Sequence, residues 1–319
     1  MMKKWLPVLG LGLLLILAAC GSDNDTTQGE GNGDATDNEG NTSEESNNNE
    51  GDSSSEEKGT LRIGLNNWAE NVAVSNMWKV ILEDKGYTVE LKTVEKAPLY
   101  EALKNDDLDV GLEVWLPHTD KPLYDSYKED VAFHKDETWF EGTELGLYVP
   151  TYVEDINSIP DLKGKADKFG GNIVGIDAGS SLYGLTEDAL SEYSLENYDQ
   201  QSASGPFMTA ELGNAIKDEE PIIVTLWKPH WAFAEYDVKR LKDPDNVYGE
   251  KEDISWMSRQ GFKEDMPQVA KAFKQWKMDD NSLGSLMKAL KEADEPLEGA
   301  RTWVENNQDL VKEWTSHIE

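Results

Sequence analysis

From Thr60 onward the chain alternates short apolar runs with stretches of helical spacing, and this alternation limits the possible folds more than any other feature. Leu61 to Trp68 reads as a strand, Val72 to Gly86 as a helix stopped by glycine, and Tyr87 to Val94 as a second strand. Pro98 to Asn105 reads as a short helix and Asp109 to Trp115 as a third strand. That order predicts a mainly parallel α/β sheet flanked by helices. A second unit of the same kind follows, with strands at Leu145 to Pro150, Asn172 to Asp177 and Pro221 to Trp227 and helices at Leu185 to Tyr193 and Glu211 to Asp218. Pro267 to Trp276, Leu283 to Ala293 and Glu298 to Trp314 read as further helices. Two sheets, each needing its own helices, predict two lobes with a cleft between them.

What precedes Thr60 has a different character. Met1 to Lys4 is a basic start, Trp5 to Leu17 an apolar run, and Leu17-Ala18-Ala19-Cys20 follows at once. The expectation is a lipoprotein signal peptide over 1–19, cut ahead of a lipid-bearing Cys20. Cys20 is the one cysteine in the chain, so the folded part must hold without an internal disulfide. Residues 20–59 read as a disordered acidic tether: between Gly21 and Gly59 stand twelve acidic residues and one lysine, with almost no large apolar side chain to bury. A flexible chain of that length reaches roughly 35 Å. Such a reach suits a domain held outside a bacterial cell membrane by a lipid anchor.

The chain of 319 residues carries 63 acidic against 30 basic residues, a formal charge of -33. A phosphate backbone requires a basic stripe, so nucleic acid is excluded as a partner. There is no Gly-x-Ser-x-Gly, no phosphate loop and no His-Glu-x-x-His, and no spacing isolates a pair of catalytic carboxylates. The four histidines, His118, His134, His230 and His317, are too scattered for a metal site. The expectation is therefore no catalytic residue, no metal and no cofactor.

Three predicted strands end in tryptophan, at Trp68, Trp115 and Trp227. Ligands of parallel α/β sheets sit beyond the carboxyl ends of the strands, so these indoles are placed to converge on one cleft. Their faces attract a quaternary ammonium, each by about 0.5–2 kcal/mol once water is excluded. Gly175-Ile-Asp-Ala-Gly-Ser-Ser-Leu182 runs from a strand through a small-residue turn into a helix, whose first amides accept an anion such as a carboxylate. Trp78, Trp276, Trp303 and Trp314 lie in helical patterns and read as core.

Residues 61–319 resemble the substrate-binding proteins of ABC transporters for glycine betaine and related quaternary amines, including the choline binders. The resemblance is carried by "GLNNWAENVAVSN", "GLEVWLPHTDKPLYDSY", "VGIDAGSSLYGLTEDAL", "PIIVTLWKPHWAFAEYDVKRLKDP" and "WVENNQDLVKEWT". It implies a two-lobed type II periplasmic-binding-protein fold, with lobe I over about 60–148 and 244–319 and lobe II over about 149–243. It also implies an aromatic cage of Trp68, Trp115 and Trp227, a carboxylate-binding turn at Ser180, Ser181 and Leu182, and delivery to a permease and its ATPase subunit by a monomer.

Two positions depart from the pattern of the betaine binders. Five residues after Trp115, where those proteins carry a histidine, stands Asp120, and His118 lies two residues earlier. An acid facing a ligand carboxylate is unfavourable unless neutralised, and His118 is expected to swing in instead. Glu70 matches a position where choline binders carry an acid, yet Leu145 stands where they add an aromatic. Glycine betaine is the expected ligand, with choline or carnitine as the alternatives and an extracellular hydrolase as the rival class.

Because the tether has nothing apolar with which to reach a cleft, removing residues 1–59 should leave ligand affinity unchanged while uptake by cells fails. Titration calorimetry and an uptake assay on the truncated protein check both halves.

Overall fold

The computed structural model describes residues 58–318; Cys20, the expected signal and the expected tether up to residue 57 lie outside the described residues. The described chain builds two five-stranded sheets. The first comprises β1 (Thr60–Leu65), β2 (Thr88–Thr93), β3 (Val110–Leu116), β4 (Val131–Phe133) and β10 (Asp253–Arg259), ordered β2-β1-β3-β10-β4. The second comprises β5 (Glu144–Pro150), β6 (Asn172–Val174), β7 (Asp199–Gln201), β8 (Val224–Lys228) and β9 (Val238–Arg240), ordered β7-β6-β8-β5-β9.

Each sheet has one strand that runs against the others. In the first it is β10, antiparallel to both β3 and β4, and in the second it is β5, antiparallel to both β8 and β9. These two are the strands by which the chain enters each sheet from the other. They start at the shared boundary, where the forward strands end, and so must run away from it. The forward strands therefore aim their carboxyl ends, and the loops that follow, at the boundary between the lobes.

The structure corrects several sequence expectations. Before the helices expected from Pro267 onward comes a strand the sequence reading did not assign, β10, in which Ile254, Trp256 and Met257 are buried. β5 pairs along its length with β8 and β9, so the first crossing precedes Glu144 rather than falling at 148. Trp68 lies beyond β1, at the N-cap of α1 (Ala69–Glu83), not in a strand. The long final helix breaks at Asn307 into Pro296–Asn306 and Gln308–Thr315, where the Asn307 side chain donates to the Trp303 carbonyl at 2.8 Å.

The two crossing segments run side by side. Trp139 and Phe140 donate their main-chain N–H groups to the Ile254 carbonyl, at 2.8 and 3.4 Å, and Thr143 donates to the Glu252 carbonyl at 2.8 Å. The Trp139 indole donates to the Leu112 carbonyl of β3 at 2.7 Å, which pins the first crossing to the first sheet. Its ring stacks on Trp276 with centroids 4.2 Å apart and planes at 8°, and Trp276 meets Trp78 edge-on at 5.6 Å. Trp78, Trp276 and Trp314 are core residues, at most 1% exposed, and Trp303 is 3% exposed.

Replacing Trp276 with alanine deletes a stacked, fully buried ring that nothing can collapse to fill. Chemical denaturation should show a loss of about 3–5 kcal/mol.

Candidate functional site

Three further helices complete the frame: α2 (Lys96–Lys104), α3 (Lys121–Tyr127) and α4 (Ser181–Glu192). At the boundary between the sheets lies a small cavity of about 30 Å³. The first lobe lines it with Trp68, Glu70, Lys96, Trp115, Thr119 and Asp120, and the second with Leu145, Ile176, Ser180, Ser181, Leu182 and Trp227.

The three tryptophans come from different elements and are brought together here. Trp115 closes β3, Trp227 closes β8, and Trp68 sits where β1 turns into α1. They are 4%, 3% and 8% exposed. Trp68 and Trp227 meet edge to face across the boundary, with centroids 6.4 Å apart. The Trp68 indole donates to Asp177 of the second lobe at 3.1 Å, and burial holds the Asp177 carboxyl above its ordinary range. Behind them passes the N-terminus of the helix Gly205–Asp218. A Cβ at Gly205 would lie 3.1 Å from the Asn67 carbonyl oxygen and 3.8 Å from atoms of both Trp68 and Trp227, so any side chain there would press on the Asn67 backbone.

Ser180 caps α4: its hydroxyl accepts the Tyr183 N–H at 3.1 Å and donates to the Asp177 carbonyl at 2.7 Å. Ser181 and Leu182 occupy the first turn, whose amides have no acceptor within a helix, and both residues line the cavity. The helix dipole adds a partial positive charge at this point.

Asp120 is 1% exposed and every part of its carboxylate is engaged. Oδ2 accepts the Trp115 main-chain N–H at 2.8 Å and faces the Lys96 ammonium at 2.8 Å. Oδ1 accepts the Ser181 hydroxyl across the boundary at 2.7 Å. Its negative charge is thus answered by a lysine that sequence reasoning missed. Lys96 stands in "VEKAPLY", a stretch that reads as the start of an exposed helix, and only the packing of α2 over β3 buries it to 1% exposure. Its ammonium also donates to the Glu113 carbonyl at 3.0 Å and lies 5.2 Å above the Trp68 ring.

Glu70 is wholly buried at the cavity wall, and burial together with the neighbouring Glu113 carboxyl keeps it protonated well above the ordinary glutamate range. His118 is not brought in. It is exposed and packs toward Gly249, because its main-chain N–H is held at 2.8 Å by the carboxylate of Glu252, on the second crossing. His230 accepts the Ala232 N–H at 3.0 Å and is pushed down to about 3 by burial, so it is a neutral packing residue beside Trp227. Thr119 and Ile176 also line the cavity without a signal in the sequence that marks them.

The lobes also touch at the rim. Lys228 pairs with Asp280 at 2.9 Å, and Lys291 pairs with Glu235 and lies 3.9 Å above the Trp231 ring.

Two lobes joined by paired crossings and meeting around a small, ring-lined cavity define a solute-binding protein of the type II periplasmic class. The chain belongs to the family described as the substrate binding domain of ABC-type glycine betaine transport systems, which matches residues 59–306. The glycine betaine/carnitine transport binding protein GbuC of Listeria monocytogenes is 38% identical over 149 residues, covering 46% of this chain, and the chain spans about half (50%) of that relative's length. Among solved structures, the glycine/betaine/L-proline-binding protein ProX from Borrelia burgdorferi is 36% identical with a TM-score of 0.76, covering 80% of this chain and 96% of that one. Lactococcal OpuAC, solved closed with glycine betaine, is 29% identical with a TM-score of 0.74 over 80% and 99% of the two chains. An ABC-transporter choline binding protein solved with choline is 25% identical with a TM-score of 0.74 over 81% and 92%.

Asp120→Ala strands the Lys96 charge in the interior and should cost roughly 3–5 kcal/mol of stability in denaturant titrations. Lys96→Met in the same chain removes the stranded charge and should restore part of that loss.

Proposed function

We propose that this protein captures glycine betaine in the cavity between its lobes and delivers it to the permease and ATPase of an ABC importer. The observation that carries this reading is the pairing of two recognition elements in one small cavity. Three buried indoles offer their faces to a trimethylammonium, and the first turn of α4 offers amides to a carboxylate. A zwitterion with one carbon between its charges matches both ends. Neither acid in the wall opposes it, since Asp120 is matched by Lys96 and Glu70 is protonated.

The fold supports a trapping mechanism. Trp68 and Trp115 belong to one lobe and Trp227 and the α4 turn to the other, so a bound ligand completes the interface and favours closure. The permease then reads the closed shape. The ligand leaves chemically unchanged, so the protein is a carrier and not an enzyme. It works as a monomer at the outer face of the cell membrane, tethered through lipid on Cys20. Among the described residues no helix is long and apolar enough to cross a membrane.

Choline is the second reading, favoured by one observation: Glu70 lines the cavity and its carboxyl has no hydrogen-bond partner. Calorimetric titration with glycine betaine, carnitine and choline should show betaine binding most tightly and being recovered intact. Trp227→Ala should weaken it at least about ten-fold, by loss of a desolvated cation contact worth about 1–2 kcal/mol and by entry of water. Tight choline binding with no betaine binding overturns the choice of ligand.

A further inference from the structure

Behind the rings lie two carboxyl groups that the reading above leaves without a task. Glu70, in the first turn of α1, and Glu113, in the middle of β3, are both wholly buried. Glu113 accepts the indole N–H of Trp115. Its other oxygen, both oxygens of Glu70 and the indole nitrogen of Trp227 are sealed from solvent without a hydrogen bond. Buried polar atoms are rarely left so, and four at one place need a reason. The polar neighbours of Glu70 are the Glu113 carboxyl and the Trp227 indole N–H, so the four atoms form one cluster behind two rings of the cage.

Side by side in the interior, two carboxyls cannot both carry charge, and they hold a proton between them. Burial and the adjoining carboxyl raise Glu70 strongly, and burial raises Glu113. The other charges facing the pair cancel. Lys96 reaches in from α2 to the Glu113 carbonyl at 3.0 Å, and Asp120, ahead of α3, lies 2.8 Å from the same ammonium. Asn71 faces Glu113 as a neutral group from α1, and β8 contributes the Trp227 indole. What is left is one unit of negative charge, opposite in sign to a trimethylammonium.

We propose that Glu70 and Glu113 share one proton and act as the counter-charge of the cage, selecting cationic over neutral head groups, while Glu113 sets the Trp115 ring through its N–H group. The inference rests on the quaternary-ammonium reading given above. Both are positioning residues: the pair acts through its field, and Glu113 also through the Trp115 ring.

The test compares glycine betaine with 3,3-dimethylbutanoate, in which carbon replaces the charged nitrogen at nearly the same shape. Calorimetry on the full chain gives the ratio of the two affinities. Glu113→Gln should lower that ratio on the order of ten-fold, the effect of one nearby charge at protein dielectric. In the wild type the ratio should fall in one step as pH falls, when the pair takes up its second proton. The sign follows because the charge is present above that pKa and lost below it. Glu70→Gln should move that step, because Glu113 then titrates without a partner carboxyl, and Asp177, across the cleft on Trp68, is unchanged in the variant and cannot account for the displacement. A pH-independent ratio, or a Glu113→Gln variant that weakens both ligands equally, assigns the pair to packing and overturns the proposal. If Glu113→Gln does not fold, the wild-type and Glu70→Gln profiles decide. Failure of the wild type to bind betaine at any pH overturns the ligand reading, and this inference with it.

Discussion

Lys96 and Asp120 bring two full charges into the interior, with side chains only 1% and 2% accessible, and the cavity depends on their meeting. Desolvating either alone would cost several kcal/mol. Together they hold four separate pieces of chain in register. Asp120 fixes the end of β3 through the Trp115 N–H and reaches the second lobe through Ser181, while Lys96 ties α2 to the Glu113 carbonyl. The ring of Trp115 is placed by its own backbone, and that backbone is placed by Asp120. A buried ion pair contributes little net stability, and its effect here is to specify position.

The reversed strands explain why such a site can be divided between two bodies. Because β5 and β10 carry the chain back from the boundary, every forward strand ends there, and the loops after β3, β6 and β8 all face the same space. Glu252 connects this frame to the crossings, since its carboxylate accepts the main-chain N–H groups of His118 and Thr119 at 2.8 and 3.1 Å. The loop that carries Asp120 is therefore anchored on the segment about which the lobes are joined.

Much of this was legible in the sequence. The apolar runs of β1, β3 and β8, the tryptophans that follow them and the small-residue turn before α4 give the alternation, the cleft and the two kinds of recognition. What stayed hidden depended on tertiary packing. Lys96 has the local signature of a solvated helix residue, and only the sheet beneath α2 buries it. β10 follows β9 directly in the chain but pairs in the other sheet, a crossing that no local pattern marks. His118 lies near enough in sequence to point inward, but the hydrogen bond its main-chain N–H donates to Glu252, more than a hundred positions away, holds its backbone elsewhere. The pairing of Glu70 with Glu113 likewise joins a helix start to a mid-strand position, a contact that no local pattern encodes.

At the rim, Lys228 and Asp280 are 42% and 61% exposed, so their attraction acts through solvent, unlike that between Lys96 and Asp120. Mobile ions weaken such a contact over about 8 Å at physiological ionic strength and over roughly 3 Å at 1 M. The dispersion and ring-quadrupole forces inside the cavity are hardly affected. As the medium becomes saltier, the hold between the halves passes from the rim inward, and the closed form comes to rely on an occupant of the cavity, more than on its own surface charges, to stay shut.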